Sequence, residues 1–167
     1  MAMFEQATDV FFPYVLRPEG PVDEVPEETL QSLYRGELAA IRAYEDALGA
    51  VMAEAHAVLS RAQRSHERRA ELLAERIARN GGSVPETAGA WGTLTHLLEE
   101  AAVTFGGERA AIAMLAQGEE HGLTAYQDAT SELEADDPTR TFLVHELLPA
   151  HMETLEMVNA LRARLGS

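Results

Sequence analysis

The chain has no cysteine and no lysine. Without cysteine it forms no disulfides and binds no metal through sulfur, so oxidative secretion is neither required nor excluded. Without lysine, all thirteen basic residues are arginine, against 28 acidic ones, and the formal net charge is -15. That balance repels nucleic acid and anionic membranes, and it favours solubility and the gathering of cations near the surface. No stretch approaches the roughly 20 apolar residues that span a bilayer. The segment MAMFEQATDVFF carries Glu5 and Asp9 and no basic run ahead of an apolar one, so no signal peptide is expected and the cytoplasm is the default location. A glycine-rich phosphate loop, a serine-centred elbow and base-reading repeats are also lacking. What remains is 167 residues, one domain's worth, long enough to bury a core without staples.

Within that length one pattern occurs twice. GELAAIRAYEDAL runs from Gly36 to Leu48 and GEEHGLTAYQDAT from Gly118 to Thr130, a spacing of 82 with Gly, Glu, Ala, Tyr, Asp and Ala coinciding. Such coincidence marks an internal repeat. The repeated Gly36 and Gly118 are expected to permit close helix contact, at a cost of about 1 kcal/mol each for a glycine inside a helix.

Residues 1–26 hold Pro13, Pro18, Pro21 and Pro26 with aromatics at Phe11, Phe12 and Tyr14, which reads as an extended arm. From 27 onward the spacing becomes helical. Leu30, Tyr34, Glu37, Ile41, Tyr44, Leu48 and Val51 form one stripe. Leu59, Ala62, His66, Ala70, Leu73 and Ile77 form a second, stopped by Asn80-Gly81-Gly82. Ile112, Leu115, Glu119, Gly122, Tyr126, Ala129 and Leu133 form a third, ended by Asp136-Asp137-Pro138. The fourth runs Val144, Leu148, His151, Leu155, Val158, Leu161, Leu165. This predicts an all-α chain of two helical hairpins, 27–80 and 107–165, joined by a crossover over 81–106 with a short helix near Thr93 to Thr104.

Glu37 and His66 lie 29 residues apart, Glu119 and His151 lie 32 apart. In antiparallel hairpins each pair meets level, roughly 21 to 24 Å from its turn. Two carboxylates and two imidazoles then converge at one depth. Carboxylate oxygen and neutral imidazole nitrogen together suit Fe(II), Mn(II) or Zn(II), and a metal would offset the cost of isolated charge in an apolar core.

On these residues the chain resembles the ferritin-like four-helix proteins of the bacterioferritin and rubrerythrin kind. Their di-iron motif is Glu on the first helix, Glu-x-x-His on the second, Glu on the third and Glu-x-x-His on the fourth. The resemblance covers about residues 27 to 165, with Glu37, His66, Glu119 and His151 in matching order, and the repeated Glu-x6-Tyr is similar to that of ferritin-like helices. It implies a ferritin-like antiparallel four-helix bundle, a metal cofactor with iron first and zinc or manganese as alternatives, and a homodimer or higher homo-oligomer. The chain departs from the motif where Gln63 precedes His66 and Leu148 precedes His151, in place of the two glutamates that bridge a metal pair. That speaks against ferroxidase chemistry and for a single ion shared by Glu37, His66, Glu119 and His151, with Gln63, Tyr44 and Tyr126 around them.

Two other readings stand beside this one. A degenerate di-iron oxidase would use water, Gln63 or a migrating carboxylate as bridge. Alternatively, Glu37 and Glu119 bond to tyrosine or histidine in a metal-free polar layer that fixes helix register, and the protein acts by association. The arginines Arg61, Arg64, Arg68, Arg69, Arg76 and Arg79 read as a solvated face, not a phosphate site.

Overall fold

The computed structural model describes residues 27–89 and 107–166. The proline-rich arm over 1–26 and the short helix near Thr93 to Thr104 lie outside the described residues. The chain is all-α, with no strand among the described residues. Helix α1 spans Glu27–Ala50, α2 Ala53–Arg79 and α3 Gly107–Ser131. A final helical run consists of α4, Pro138–Phe142, a π-helical turn, Leu143–Leu147, and α5, Leu148–Gly166.

Local chemistry sets these boundaries. The Asp137 side chain accepts from Thr139 N at 2.5 Å and Pro138 takes the first turn, where its missing N–H is not needed. At the end of α2 the chain turns through Gly81 at φ +81°, with Gly82 N donating to Ile77 O at 3.0 Å. That left-handed conformation is why glycine follows Asn80.

Helix α1 packs on α2 and α3, and α5 packs on the same two. The predicted inner positions of the first three stripes are buried or half-buried throughout. In the last helical run the stripe is shifted. Leu143, Leu147 and Thr154 are buried, while Val144, Leu148 and Leu155 are only half-buried. The π turn explains the upstream part: Leu148 N bonds to Leu143 O, and the one extra residue moves the inward set back by one position.

The apolar core falls into two clusters. One holds Leu59, Ile112, Leu115, Val158 and Leu161 with Tyr44; the other holds Leu30, Leu73, Ile77, Leu143 and Leu147 with Tyr126. Between them lies a buried layer of polar side chains.

The glycines correct one expectation. A Cβ built on Gly36 or Gly118 meets nothing within 4 Å, so these two do not mediate close contact. Gly122 does, since a Cβ there lies 2.7 Å from Cε1 of His151. Gly36→Ala and Gly118→Ala are each expected to stabilise the protein by about 0.5–1 kcal/mol through helix propensity. Gly122→Ala is expected to destabilise it, and urea midpoints of the three variants check both directions.

Candidate functional site

The polar layer is built by the repeat. Tyr44 OH donates to Glu119 Oε1 at 2.6 Å, and Tyr126 OH donates to Glu37 Oε1, also at 2.6 Å. Moving seven residues forward on α1, from Glu37 to Tyr44, corresponds to moving seven back on α3, from Tyr126 to Glu119. The two helices are therefore antiparallel at this level, and each Glu-x6-Tyr supplies one carboxylate and one hydroxyl to its copy. Both tyrosines reach the layer from opposite apolar clusters, and burial followed by the adjoining carboxylate charge holds each hydroxyl well above its ordinary pKa. They are neutral donors.

His66 spans the two carboxylates. Its Nδ1 lies 2.7 Å from Glu37 Oε2 and its Nε2 lies 2.8 Å from Glu119 Oε1. His151 relates to Glu119 differently, with Nε2 donating to the Glu119 backbone carbonyl at 2.8 Å and standing 3.6 Å from Oε2. All four of the sequence-predicted Glu and His residues are 2–3% exposed. Gln63 is half-buried and makes no hydrogen bond with any of them.

The member the sequence reading missed is Arg69, which is 1% exposed and does not belong to a solvated face. Its Nε donates to Glu37 Oε1 at 2.9 Å, and its Nη1 donates to Ser65 Oγ at 2.8 Å and Thr154 Oγ1 at 3.3 Å. Other arginines of the series do pair at the surface: Arg61 with Glu153, Arg68 with Glu71, Arg79 with Glu75. The signal that separates Arg69 is its phase: three residues after His66 and four before Leu73, it falls on the inner stripe.

Arg69 Nη2 also lies 2.7 Å from His66 Nδ1, and one nitrogen cannot both donate to Glu37 and accept from Arg69. We assign the proton to Nδ1, because a carboxylate on each ring nitrogen favours the imidazolium. Burial lowers the His66 pKa, but the Glu37 charge and the two carboxylate hydrogen bonds outweigh it and raise the value. Burial likewise pushes Glu37 up, and Arg69 and His66 together hold it well below the usual carboxylate range. Glu119 follows the same logic through His66, and burial pushes His151 down into its neutral form. The layer then holds two anions, Glu37 and Glu119, and two cations, His66 and Arg69.

Among the described residues, no three His, Asp or Glu side chains are gathered to hold a metal ion. Two buried polar atoms of the layer have no hydrogen-bond partner, Glu119 Oε2 and His151 Nδ1. A cavity of about 80 Å³ lies at the seam between α1 and α3, and its lining includes Glu37, Tyr44, His66, Glu119, Tyr126 and His151.

A family model matches residues 25–132, more than half of the chain. The chain belongs to the family described as a domain of unknown function, DUF2383. No curated protein and no solved structure matches it. The DUF2383 match takes in Glu37, Tyr44, His66, Arg69, Glu119 and Tyr126 and stops short of His151. Among the described residues no helix is long and apolar enough to cross a membrane.

Two outcomes are expected. Arg69→Met removes one partner of a buried pair and costs about 3–5 kcal/mol. Adding Glu37→Gln restores neutrality, so the double variant loses less than the sum of the singles in urea unfolding. The second concerns pH. His66 holds its proton more tightly folded than unfolded, so its contribution is complete below about pH 6.5 and is lost as pH rises through its raised folded value. Glu37 and Glu119 contribute above about pH 4.3 and lose that as pH falls through their lowered folded values. Stability is expected to decline on both sides, and His66→Gln is expected to flatten the alkaline decline in unfolding midpoints from about pH 6 to 9.

Proposed function

We propose that the chain is a ferritin-like four-helix protein that works without a resident metal, as a binding protein whose core centre is held by protons and a guanidinium. The observation that carries this reading is Arg69 on Glu37, with His66 between both carboxylates. In the ferritin-like motif the positive charge among the carboxylates is metal; here side chains supply it.

The donor set does not fit a metal pair. Both oxygens of Glu37 already accept hydrogen bonds, and both nitrogens of His66 face carboxylates. Gln63 and Leu148 stand where the bridging carboxylates would be needed. That leaves Glu119 Oε2 and His151 Nδ1, two donors where protein metal sites use three or four. Such a centre has too few open donors to hold the metal pair of an oxidase.

A second reading rests on those same two open acceptors: a single divalent cation, iron, zinc or manganese, held by Glu119 and His151. Glu37 would then fix the His66 ring through Nδ1 and be an orienting partner, not a ligand.

Elemental analysis of untagged protein, with thermal melts in the presence and absence of chelator, separates the two. The metal-free reading expects substoichiometric iron, zinc and manganese and an unchanged melting temperature. Stoichiometric metal that disappears in Glu119→Ala, with a melting temperature lowered by chelator, would contradict it.

A further inference from the structure

The two seams on opposite sides of the polar layer are finished differently. Where α2 meets α5, polar side chains bridge the helices: Arg61 pairs with Glu153, Arg69 Nη1 donates to Thr154 Oγ1 at 3.3 Å, and Thr154 Oγ1 lies 3.2 Å from Ser65 Oγ. Where α1 meets α3, the lining outside the layer is small and apolar. Gly36, Ala40 and Ala43 come from α1, and Gly118, Gly122 and Ala125 from α3. Small residues on neighbouring helices leave space that large side chains of another element fill.

The chain's own path leads along that second seam. Beyond α2, Ser83 N donates to Glu27 Oε1 at 2.9 Å and Ser83 O accepts from Gln31 Nε2 at 2.8 Å. By Gly89 the backbone has climbed α1 to Arg35, whose Cδ lies 3.5 Å from a Cβ built on that glycine. Ala88 is already buried. The other anchor is at the far end of α1, where Glu108, in the first turn of α3, accepts from Met52 N at 2.9 Å. Residues 90–106 join the two anchors. From Arg35 to Ala50 α1 runs about 22 Å, and the 19 residues from Gly89 to Glu108 cover about 28 Å as a helix, so a helical run along α1 reaches without being stretched. Their sequence carries a fitting stripe: Trp91, Leu94, Leu98, Ala101 and Phe105 recur at three and four, with His96, Glu99 and Glu100 off it.

We infer that the seam between α1 and α3 is the docking site of residues 90–106, with Trp91, Leu94 and Leu98 set over its small residues. The anchors pair Arg35 with Gly89 and Met52 with Glu108, so at equal rise per residue the offset is about 55 and Leu98 falls level with Ala43. The large apolar side chains that this seam lacks are then supplied by the chain itself, and no second copy is needed there. The inference holds with or without a metal in the polar layer.

The full chain has no cysteine, so an introduced pair makes the only disulfide it can form. Ala43→Cys with Leu98→Cys is oxidised in dilute solution and scored on a non-reducing gel, beside a control that joins Leu98→Cys to Arg64→Cys on the exposed side of α2. An intramolecular disulfide is expected in the first pair, forming at least about tenfold faster than in the control. Equal rates in the two would overturn the inference. A disulfide-linked dimer from the first pair, in place of the intramolecular bond, would overturn it in favour of a second copy. Faster bonding of Ala43→Cys to Phe11→Cys than to Leu98→Cys would give the seam to residues 1–26. Trp91, the only tryptophan, reports on the unaltered chain. Its emission is expected to lie to the blue of that in urea and to resist acrylamide, and emission as red and as quenchable as in urea would contradict docking.

Discussion

Four ionised side chains buried in the middle of a helical protein must neutralise one another, and the rest of this structure follows from how they do so. Glu37 and Glu119 come from α1 and α3, and His66 and Arg69 both come from α2. Each charge withdrawn from water costs several kcal/mol unless it is paired and hydrogen-bonded. His66 meets that demand for two carboxylates at once, and Arg69 meets the remainder for Glu37. The layer also divides the apolar core in two, and each half sends one tyrosine hydroxyl into it. A slip of α1 against α3 by one turn would separate both carboxylate–tyrosine pairs together, so the layer fixes their register.

The repeat builds this layer almost symmetrically, and the remaining asymmetry is where chemistry is open. One carboxylate is saturated; the other keeps an unpartnered oxygen, with the neutral imidazole of His151 close by. Gly122 belongs to the same arrangement, since only the missing Cβ lets the His151 ring lie against α3.

Much of this was legible in the sequence. The 3.6-residue stripes place Glu37, His66, Glu119 and His151 inward, and equal distances from the turns bring carboxylate and imidazole level. The matched Glu-x6-Tyr spacings carry the reciprocal tyrosine contacts, which the reading of a metal-free layer allowed in pairing Glu37 and Glu119 with tyrosine or histidine. Arg69 was hidden by its company: in a run of surface arginines, composition argues for solvent, and only its phase beside His66 and Leu73 argues for the core. The π turn at Leu143–Leu147 has no marker residue, so the shift from Val144 to Leu143 could not be read. Gly36 and Gly118 show a further limit. Recurrence in the repeat suggests close helix contact at a glycine, but whether a neighbour approaches or stands off depends on residues such as His151, which packs against Gly122.

The protonation state of His66 tests the charge-balanced layer most directly. Ring nitrogen-15 NMR of the full chain near neutral pH reports both imidazoles separately. A self-neutralised layer requires protons on both His66 nitrogens, with His151 neutral and protonated at Nε2 alone. A neutral His66, with Nδ1 accepting from Arg69 or bound to an ion, would contradict it.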